Sequence, residues 1–318
     1  MKLGIKVIRI FFICFIVIFI IAFISYINHK SQLKKEDTLF KPLGKMIDVN
    51  GNKMSIYTEG DGDNTLVFMS GGGTSSPILD FKSLYSQLSD DYKIVVIEKF
   101  GYGFSDVVDE KRTIQTILNE SREALQKAGI TGPYILCPHS MSGIEALYWA
   151  QQYPKEVKAI VGLDMAVPDS YSKLSINMPL IKISSLAAHL GITRFLPGIS
   201  ESDAIKHGIL SEEEKEIYKS VFYRRTATKT MINEVYEIKN NASIVKKGIS
   251  VNIPILMFCS NGAGTGWNED EWKKFQSDFI NENKKGKLIN LDCSHYVQNY
   301  EYKNIAKNIK SFTKEIDK

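Results

Sequence analysis

Cysteine and histidine are scarce in this sequence, and that scarcity removes a class of sites. The 318 residues include four cysteines and five histidines. No CxxC pair occurs, so the spacing of a structural zinc site is missing and we predict no metal. Cys137, Cys259 and Cys293 end apolar runs and are interpreted as small core residues. A disulfide between Cys259 and Cys293 would require neighbouring strands, which spacing alone does not decide.

Clustered charge of one sign is also missing. The chain carries 40 Lys and Arg against 36 Asp and Glu, a net charge of +4. Its lysines are scattered rather than gathered into a patch, so we predict no nucleic-acid partner. With 44% hydrophobic and 24% charged residues, the chain can bury one sizeable core.

One long uncharged run lies at the N-terminus. Residues 10–27, IFFICFIVIFIIAFISYI, would cover about 27 Å as a helix, against a hydrocarbon core of roughly 30 Å. The run exceeds a signal-peptide h-region and no small-x-small cleavage site follows it, which favours an uncleaved signal anchor over a signal peptide or a core helix. We predict an anchor at 1–30, a linker at 31–43 and a folded domain at 44–318.

Basic residues lie on both sides of this run. Lys2, Lys6 and Arg9 precede it, and further lysines follow it together with acidic residues. The balance slightly favours a cytoplasmic N-terminus. The expected location is therefore the cell membrane, with a single span and with the folded domain outside the cytoplasm.

Apolar runs alternate with helix-period segments through the rest of the chain. Asn50-Gly51 separates two short runs and predicts a tight hairpin, because this pair adopts positive φ readily. The later runs are continuous in Val, Ile and Leu, which is typical of parallel strands buried on both faces. The predicted strands are 45–49, 54–58, 65–69, 94–97, 134–137, 157–163, 255–258 and 288–291. This order predicts an α/β fold.

The alternation stops between Val167 and Pro254. No strand-like run occurs there, only helix-period stretches such as 179–190 and 212–223. So long an interval is not an ordinary connection. We predict a helical cap at about 167–250, inserted after the sixth strand.

Five features together resemble the α/β-hydrolase fold. They are the strand order, a glycine turn after the third strand, a serine between strand and helix, the late cap, and a histidine near the C-terminus. The resemblance covers roughly residues 43–318. It implies a mostly parallel eight-stranded sheet flanked by helices, with a catalytic serine hydrolase site at one edge.

The nucleophile motif of this family is GxSxG, and the chain has PHSMS followed by glycine. Pro138 departs from the motif and fixes φ just before the turn, while Ser142 is small enough for its position. An apolar strand precedes Ser140 and an amphipathic helix follows it, as the motif requires, so the resemblance implies Ser140 as the nucleophile. The alternative is that Ser140 only caps the helix predicted at 143–153.

A serine hydroxyl needs a base, and the base needs an acid. His295 follows the last strand, where the family presents its base. The most common acid position, after the seventh strand, falls near Ala263. Asp164, after the sixth strand, resembles the acid position of haloalkane dehalogenases, and Glu269 or Asp270 are the alternatives.

Two glycine turns complete the resemblance. The run SGGG at 70–73 resembles the oxyanion turn of the family, which implies the backbone N–H groups of Gly72 and Met141 as the oxyanion hole. A flexible loop is the alternative for the triple glycine. The turn EKFGYGFSD resembles the family turn DxxGxGxS, with Glu98 replacing aspartate, and is interpreted as structural.

The expected activity is cleavage of a carboxylic ester, on a small-molecule or lipid substrate, through an acyl-enzyme and without a cofactor. Haloalkane dehalogenases and epoxide hydrolases of this fold have an aspartate where Ser140 stands, which argues against both activities. An aminopeptidase is the second hypothesis, although the 70–74 turn has no proline. A catalytically inactive binding domain on the same frame is the third.

Overall fold

The computed structural model describes residues 2–318, with side chains from Lys6 onward. The strands are β1 (Lys45–Val49), β2 (Asn52–Glu59), β3 (Thr65–Met69), β4 (Lys93–Glu98), β5 (Tyr134–Pro138), β6 (Val157–Leu163), β7 (Ile255–Cys259) and β8 (Gly286–Asn290). The helices are α1 (Lys2–Lys35), α2 (Pro77–Asp80), α3 (Lys82–Tyr85), α4 (Ile114–Lys127), α5 (Ser142–Gln152), α6 (Pro168–Lys173), α7 (Met178–His189), α8 (Asp203–Lys206), α9 (Glu212–Arg225), α10 (Lys229–Lys247), α11 (Glu269–Asn281), α12 (Val297–Tyr300) and α13 (Tyr302–Ile316). Short 3-10 turns lie at Glu36–Thr38 and Ile192–Phe195.

The strands lie where the apolar runs predicted them. β1, β3 and β6 have the predicted bounds, and most others are longer by a residue or two at their ends. β8 begins earlier than predicted, because it is an edge strand whose residues are only half-buried. Asn50 and Gly51 have φ of 52° and 79°, which confirms the predicted hairpin turn.

All eight strands form one sheet in the order β1-β2-β4-β3-β5-β6-β7-β8. β2 runs antiparallel to both β1 and β4, and the strands from β4 to β8 pair in parallel. The carboxyl ends of β3, β5, β6, β7 and β8 therefore lie at one edge of the sheet. Ligand sites of parallel sheets form at this edge.

Helices cover both faces of the sheet. α4, α5 and α11 pack on one face, and α3 and α13 pack on the other. Trp149 of α5 and Ile309 of α13 are fully buried examples from the two layers. Burying one such side chain contributes about 1.5–3 kcal/mol, so the two layers together hold the strand ends in fixed relative positions.

The three cysteines of the folded part are buried, as predicted. Cys259 and Cys293 remain free thiols although β7 and β8 are neighbours. Burial raises the pKa of both thiols to about 12, so they behave as small apolar residues.

The long interval between β6 and β7 is helical, as predicted. It contains α6 to α10, and α10 returns to pack against α5 and α6. α7 buries few side chains, whereas Leu180, Ile183 and Leu186 are exposed. The insertion is thus fixed to the main body through α10, which packs on α5, and through α8, which contacts α2 and α12.

The N-terminal helix is long and apolar enough to cross a membrane. Its large apolar side chains between residues 7 and 24 are exposed. The helix does not end with the apolar run but continues to Lys35, through the first residues of the segment predicted as a linker.

Candidate active site

Ser140 lies on a sharp turn between β5 and α5. It is one of few non-glycine residues with positive φ, at 54°. Its carbonyl accepts a hydrogen bond from the Ala166 amide at 2.7 Å. The Ser142 hydroxyl donates to the Met69 carbonyl at 2.6 Å, which explains why a serine fits the second glycine position of the motif. The turn is therefore held from both sides, which allows the strained backbone of Ser140 to persist.

The capping alternative for Ser140 is not what the structure shows. Met141 is the residue that precedes α5, and α5 has no side-chain hydrogen bond at its N-terminus. The strained φ of Ser140 therefore has no explanation in helix capping.

The glycine turn after β3 lies directly against the serine. A Cβ atom built on Gly71 would lie 2.6 Å from Cβ of Ser140, so only glycine allows this approach. A Cβ on Gly72 would lie 3.2 Å from Cε of Met141. Among the described residues, the amide groups of Gly72 and Met141 donate no hydrogen bond. Both remain candidates for stabilising a developing oxyanion.

His295 lies in the connection that follows β8, and the structure brings it to Asp164. Its Nδ1 donates a hydrogen bond to Oδ2 of Asp164 at 2.5 Å. Its own amide donates to the Ala263 carbonyl at 2.9 Å. Because Nδ1 carries the proton in this bond, Nε2 is the ring nitrogen that can accept a proton from a nucleophile.

Asp164 follows β6 and is completely buried, with φ of 48°. Besides His295, it accepts hydrogen bonds from the Ser260 amide at 2.7 Å, the Ser260 hydroxyl at 2.7 Å and Nε1 of Trp272 at 2.8 Å. A buried carboxylate is stable only when its oxygens are bonded in this way. The geometry therefore suits an ionised group that orients an imidazole.

The two alternative acids lie elsewhere. Glu269 begins α11 and pairs with Lys273 at the surface, with about half of its side chain exposed. Asp270 is exposed next to it. Neither is hydrogen-bonded to His295, whereas Asp164 is. The structure thus unites only one of the three candidate acids with the candidate base.

His139 is a neighbour of the site that the sequence did not single out as functional. Its Nε2 donates to the His295 carbonyl at 3.1 Å, and the two rings are 4.6 Å apart. Burial, with a smaller contribution from His295, holds the pKa of His139 well below its ordinary value. A neutral His139 therefore supports the His295 backbone without adding charge beside the base.

A buried ionic network braces the elements around the serine. Lys99, after β4, contacts Glu145 of α5 at 2.5 Å and Glu234 of α10 at 3.2 Å. Tyr102 donates to Glu234 at 2.5 Å. Burial alone would lower the pKa of Lys99, but the two carboxylates raise it above its ordinary value, so the ammonium stays charged. The network ties the last cap helix to the helix that follows Ser140.

Glu98, at the end of β4, fills the structural role expected of it. Its Oε2 accepts a hydrogen bond from the Phe104 amide at 2.9 Å, and its carbonyl accepts one from Ser105. Burial raises the pKa of Glu98 to about 7. The residue holds the turn that follows β4 and makes no contact with His295.

Sequence reasoning missed the residues that are hydrogen-bonded to the candidate acid, Asp164. Ser260 directly follows β7, close to the position where this family most commonly has its acid. It donates two hydrogen bonds to the carboxylate of Asp164, which follows the neighbouring strand β6. A polar residue directly after a buried strand was the available signal for Ser260. Nothing local marked Trp272, whose role depends on how α11 packs.

No group of three or more histidine, cysteine, aspartate or glutamate side chains within the described part of the chain could hold a metal ion. The expectation that the site works without a metal or cofactor stays a prediction.

Known proteins of similar sequence and structure match this chain. A family model described as α/β-hydrolase fold matches residues 64–183, which include Ser140 and Asp164. The uncharacterized protein YbdG of Bacillus subtilis is 41% identical over 259 residues, covering 80% of this chain and 78% of that protein. A cis-3-alkyl-4-alkyloxetan-2-one decarboxylase of Xanthomonas campestris is 34% identical over 126 residues, covering 37% of this chain and 42% of that enzyme.

Among solved structures, a haloalkane dehalogenase from Bradyrhizobium elkani matches with a TM-score of 0.67. The match covers 86% of this chain and 98% of that one, at 16% identity. Identity this low shows the fold alone. The fold class predicted from the sequence is thereby confirmed.

Proposed function

The chain belongs to the α/β-hydrolase family, and we propose on that basis that it is a membrane-anchored serine hydrolase that cleaves a carboxylic ester. The observation that carries the proposal is the 2.5 Å hydrogen bond between His295 Nδ1 and Asp164 Oδ2. It occurs at the sheet edge where Ser140 occupies a strained strand-to-helix turn. Serine, histidine and carboxylate are the parts of a triad.

In the proposed reaction, Ser140 Oγ attacks the carbonyl carbon of the ester while Nε2 of His295 accepts the hydroxyl proton. The N–H groups of Gly72 and Met141 stabilise the oxyanion of the tetrahedral intermediate. Collapse of the intermediate expels the alcohol, which takes its proton from the imidazolium. Water then attacks the acyl-enzyme with His295 again as base, releasing the acid and restoring the serine.

Asp164 acts through His295 in this scheme. Its carboxylate keeps the proton of the imidazole on Nδ1 and stabilises the imidazolium that forms during each half-reaction. The bonds from Ser260 and Trp272 hold the carboxylate in place. They are the reason the acid can follow β6 rather than β7.

A serine at the nucleophile position favours acyl transfer over dehalogenation and epoxide opening, two other reactions of enzymes with this fold. Dehalogenation and epoxide opening in this fold proceed through an aspartate nucleophile, and Ser140 supplies a hydroxyl instead. A hydroxyl activated by a base attacks carbonyl carbon readily. An ester with its carbonyl between the turn at 70–73 and Ser140 is the substrate class that this arrangement suits.

The N-terminal helix is proposed as a single membrane span, with the N-terminus in the cytoplasm and the hydrolase domain outside it. Length and composition support the span. The direction rests on the basic residues that precede it.

The test is active-site labelling of the full-length protein in detergent micelles with a fluorophosphonate probe. We expect labelling of the wild type and of Ser311→Ala, an exposed serine on α13, and none of Ser140→Ala. Hydrolysis of a short-chain p-nitrophenyl ester should fall by about 10⁴-fold or more in Ser140→Ala, while a matched p-nitroanilide is cleaved slowly by all three proteins.

Two results would overturn the proposal. A folded wild type that neither reacts with the probe nor hydrolyses the ester would be a binding domain on a hydrolase frame. Faster cleavage of the anilide than of the ester would make the chain an amidase or peptidase.

A further inference from the structure

One face of the N-terminal helix is buried where the helix passes the cap. Ser25 and His29 are only 2% and 4% exposed, whereas the neighbouring Ile24 and Ile27 are 60% and 52% exposed. A spacing of four residues places Ser25 and His29 on the same face of a helix. The end of α1 is therefore a docked helix with one face against the cap, and its other faces are free.

Polar contacts fix this docking. The Ser25 hydroxyl donates to the Leu190 carbonyl at 2.7 Å. Arg194 donates from Nε to Nδ1 of His29 at 2.8 Å and forms a bidentate pair with Glu36 at 2.7 and 2.8 Å. A bidentate arginine–carboxylate pair has a defined geometry, unlike a lysine pair at the surface.

A second arginine and a glycine add to the same contact. Arg224 of α9 donates to the Leu33 carbonyl and to Asp37. Gly191 has φ of 75°, and a Cβ atom built on it would lie 2.3 Å from Cβ of His29. At His29 the helix thus approaches the cap as closely as glycine allows. The whole contact extends over about three turns, from Ser25 to Asp37.

The docking fixes the depth of the cap relative to the apolar run. The run ends at Ile27, and Ser25 lies within it. At 1.5 Å per residue, the Leu190 contact is about 3 Å inside the end of the run along the helix axis. If the run spans the bilayer, the segment around Leu190 lies at the boundary between hydrocarbon and headgroups.

The cap is apolar on its surface on both sides of this contact. Leu180, Ile183 and Leu186 recur every three residues along α7 and are each more than half exposed. After the contact, Phe195 and Leu196 are 61% and 51% exposed. Exposed apolar side chains in such a group are unusual on a protein surface that faces only water.

The same segment has no acidic residue. From Ser170 to Ser200 the chain contains Lys173, Lys182 and Arg194 but neither aspartate nor glutamate. Anionic headgroups attract basic residues near a membrane surface and would repel carboxylates. Composition and depth therefore point to the same surroundings.

We propose that α7 and the turn that follows it lie in the membrane interface, with Leu180, Ile183, Leu186, Phe195 and Leu196 in contact with lipid. This segment is called the interfacial face below. The docked end of α1 holds the interfacial face at this depth, mainly through the pair of Arg194 and Glu36. The inference rests on the proposed span of α1, but it does not depend on the chemistry of Ser140.

The test uses the full-length chain in nanodiscs that contain one copy each, with an environment-sensitive fluorophore on a single cysteine. Cys14 is exposed in the span, and the other native cysteines are buried and unreactive in the folded protein. The labelled sites are Cys14 itself and, in a Cys14→Ser background, Ile183→Cys on the interfacial face and Lys307→Cys on α13. Quenching by doxyl-labelled lipid reports contact with lipid.

We expect strong quenching at Cys14 and at Ile183→Cys. Quenching at Ile183→Cys should be roughly fivefold stronger than at Lys307→Cys, because an interfacial helix buries its apolar face about 5–10 Å into the boundary between headgroups and hydrocarbon. Arg194→Glu should lower the quenching at Ile183→Cys about twofold, and adding Glu36→Arg should restore it, because the swap re-forms a charge pair.

Each other outcome identifies what has failed. Quenching at Cys14 with none at Ile183→Cys overturns the interfacial face while α1 still spans. No quenching at Cys14 means that the span itself is absent, which overturns the anchoring proposal and this inference with it. A blue-shifted but unquenched fluorophore at Ile183→Cys means that protein rather than lipid covers the interfacial face, which overturns the lipid contact. Unchanged quenching in Arg194→Glu overturns the holding role of α1.

Discussion

The candidate active site and the cap differ in where they place polar and apolar side chains. The corner of the fold around Asp164 buries a charged side chain, whereas the cap exposes apolar ones. At the corner, a fully buried carboxylate is surrounded by donors from three elements, so that Asp164 is bonded to Ser260, Trp272 and His295. On the cap, Leu180 and Ile183 face outward. A buried charge persists only where donors surround it, and exposed apolar side chains indicate a partner that is not water. The two regions thus place polar and apolar side chains in opposite ways, and the exposed apolar side chains of the cap support the proposed contact with lipid.

The largest effect on activity should come from removing the buried charge of the candidate active site. Asp164→Asn removes the negative charge that orients His295 and stabilises its protonated form, so kcat for the ester should fall about 10⁴-fold, or about 5.5 kcal/mol of barrier. The measurement is steady-state hydrolysis by the full-length protein in detergent, with the thermal unfolding midpoint recorded for each variant.

Glu269→Gln is the matched control for this change. Glu269 pairs with Lys273 at the surface, and most surface substitutions have small effects. The kcat of Glu269→Gln should therefore stay within about twofold of the wild-type value. A larger loss in Glu269→Gln than in Asp164→Asn would assign the acid to α11 and refute the role of Asp164.

A matched pair of leucines sharpens the contrast between core and cap. Leu136, in the centre of β5, is fully buried, whereas Leu180 on α7 is 57% exposed. Leu136→Ala should lower the free energy of unfolding by about 2–5 kcal/mol, and Leu180→Ala by less than about 0.5 kcal/mol. Thermal unfolding in detergent measures both. Equal losses would mean that Leu180 packs against protein rather than facing outward.

A pH-dependent effect should come from a second buried aspartate, Asp80, which has few of the hydrogen bonds that Asp164 has. Its Oδ2 accepts one hydrogen bond, from Gln298 at 2.9 Å, and its Oδ1 has no partner among the described residues. Burial raises the pKa of Asp80 to about 7, against a lesser lowering by Gln298. Two aspartates of equal burial thus differ in the number of hydrogen bonds that their carboxylates accept.

A raised pKa in the native state means that the native state binds the proton more tightly than the unfolded chain does. The stabilising effect of that proton is complete below the unfolded pKa near 4 and is lost as pH rises through about 7. Asp80→Asn should therefore match the wild type in stability at pH 4 and exceed it above pH 7, with a difference that grows as the pH rises between these values.

The measurement is the unfolding midpoint of both proteins between pH 4 and pH 8.5. Asp61→Asn, at an exposed position, serves as control and should give a difference that does not vary with pH. A constant difference for Asp80→Asn as well would show that Asp80 ionises in the folded protein as it does in water.

The sheet was largely predictable from the sequence. The central strands β3 and β6 are continuous apolar runs between polar turns, and both were predicted with the bounds they have. β8 was predicted less well, since an edge strand with half-buried residues has a weaker pattern. The cap could be predicted as helical, but its sequence did not indicate which of its apolar residues would be exposed.

The candidate site was predictable in part. Resemblance to the α/β-hydrolase fold indicated Ser140 and His295, because each follows a strand whose place in the strand order could be read from the sequence. It did not decide between Asp164, Glu269 and Asp270 as the acid, since all three come after strands that end at the same edge of the sheet. Which carboxylate reaches His295 depends on side-chain packing across β6, β7 and β8.

By itself the sequence determined the local elements: the hairpin at Asn50, the buried strands, the helical cap and the apolar run. Hydrophobic periodicity and turn chemistry act over a few residues, so they can be read locally. Only the tertiary structure decided that Asp164 meets Ser260 and His295, and that Ser25 meets Leu190. These pairs are 96, 131 and 165 positions apart, and their meeting depends on strand order and helix packing, which no local pattern encodes.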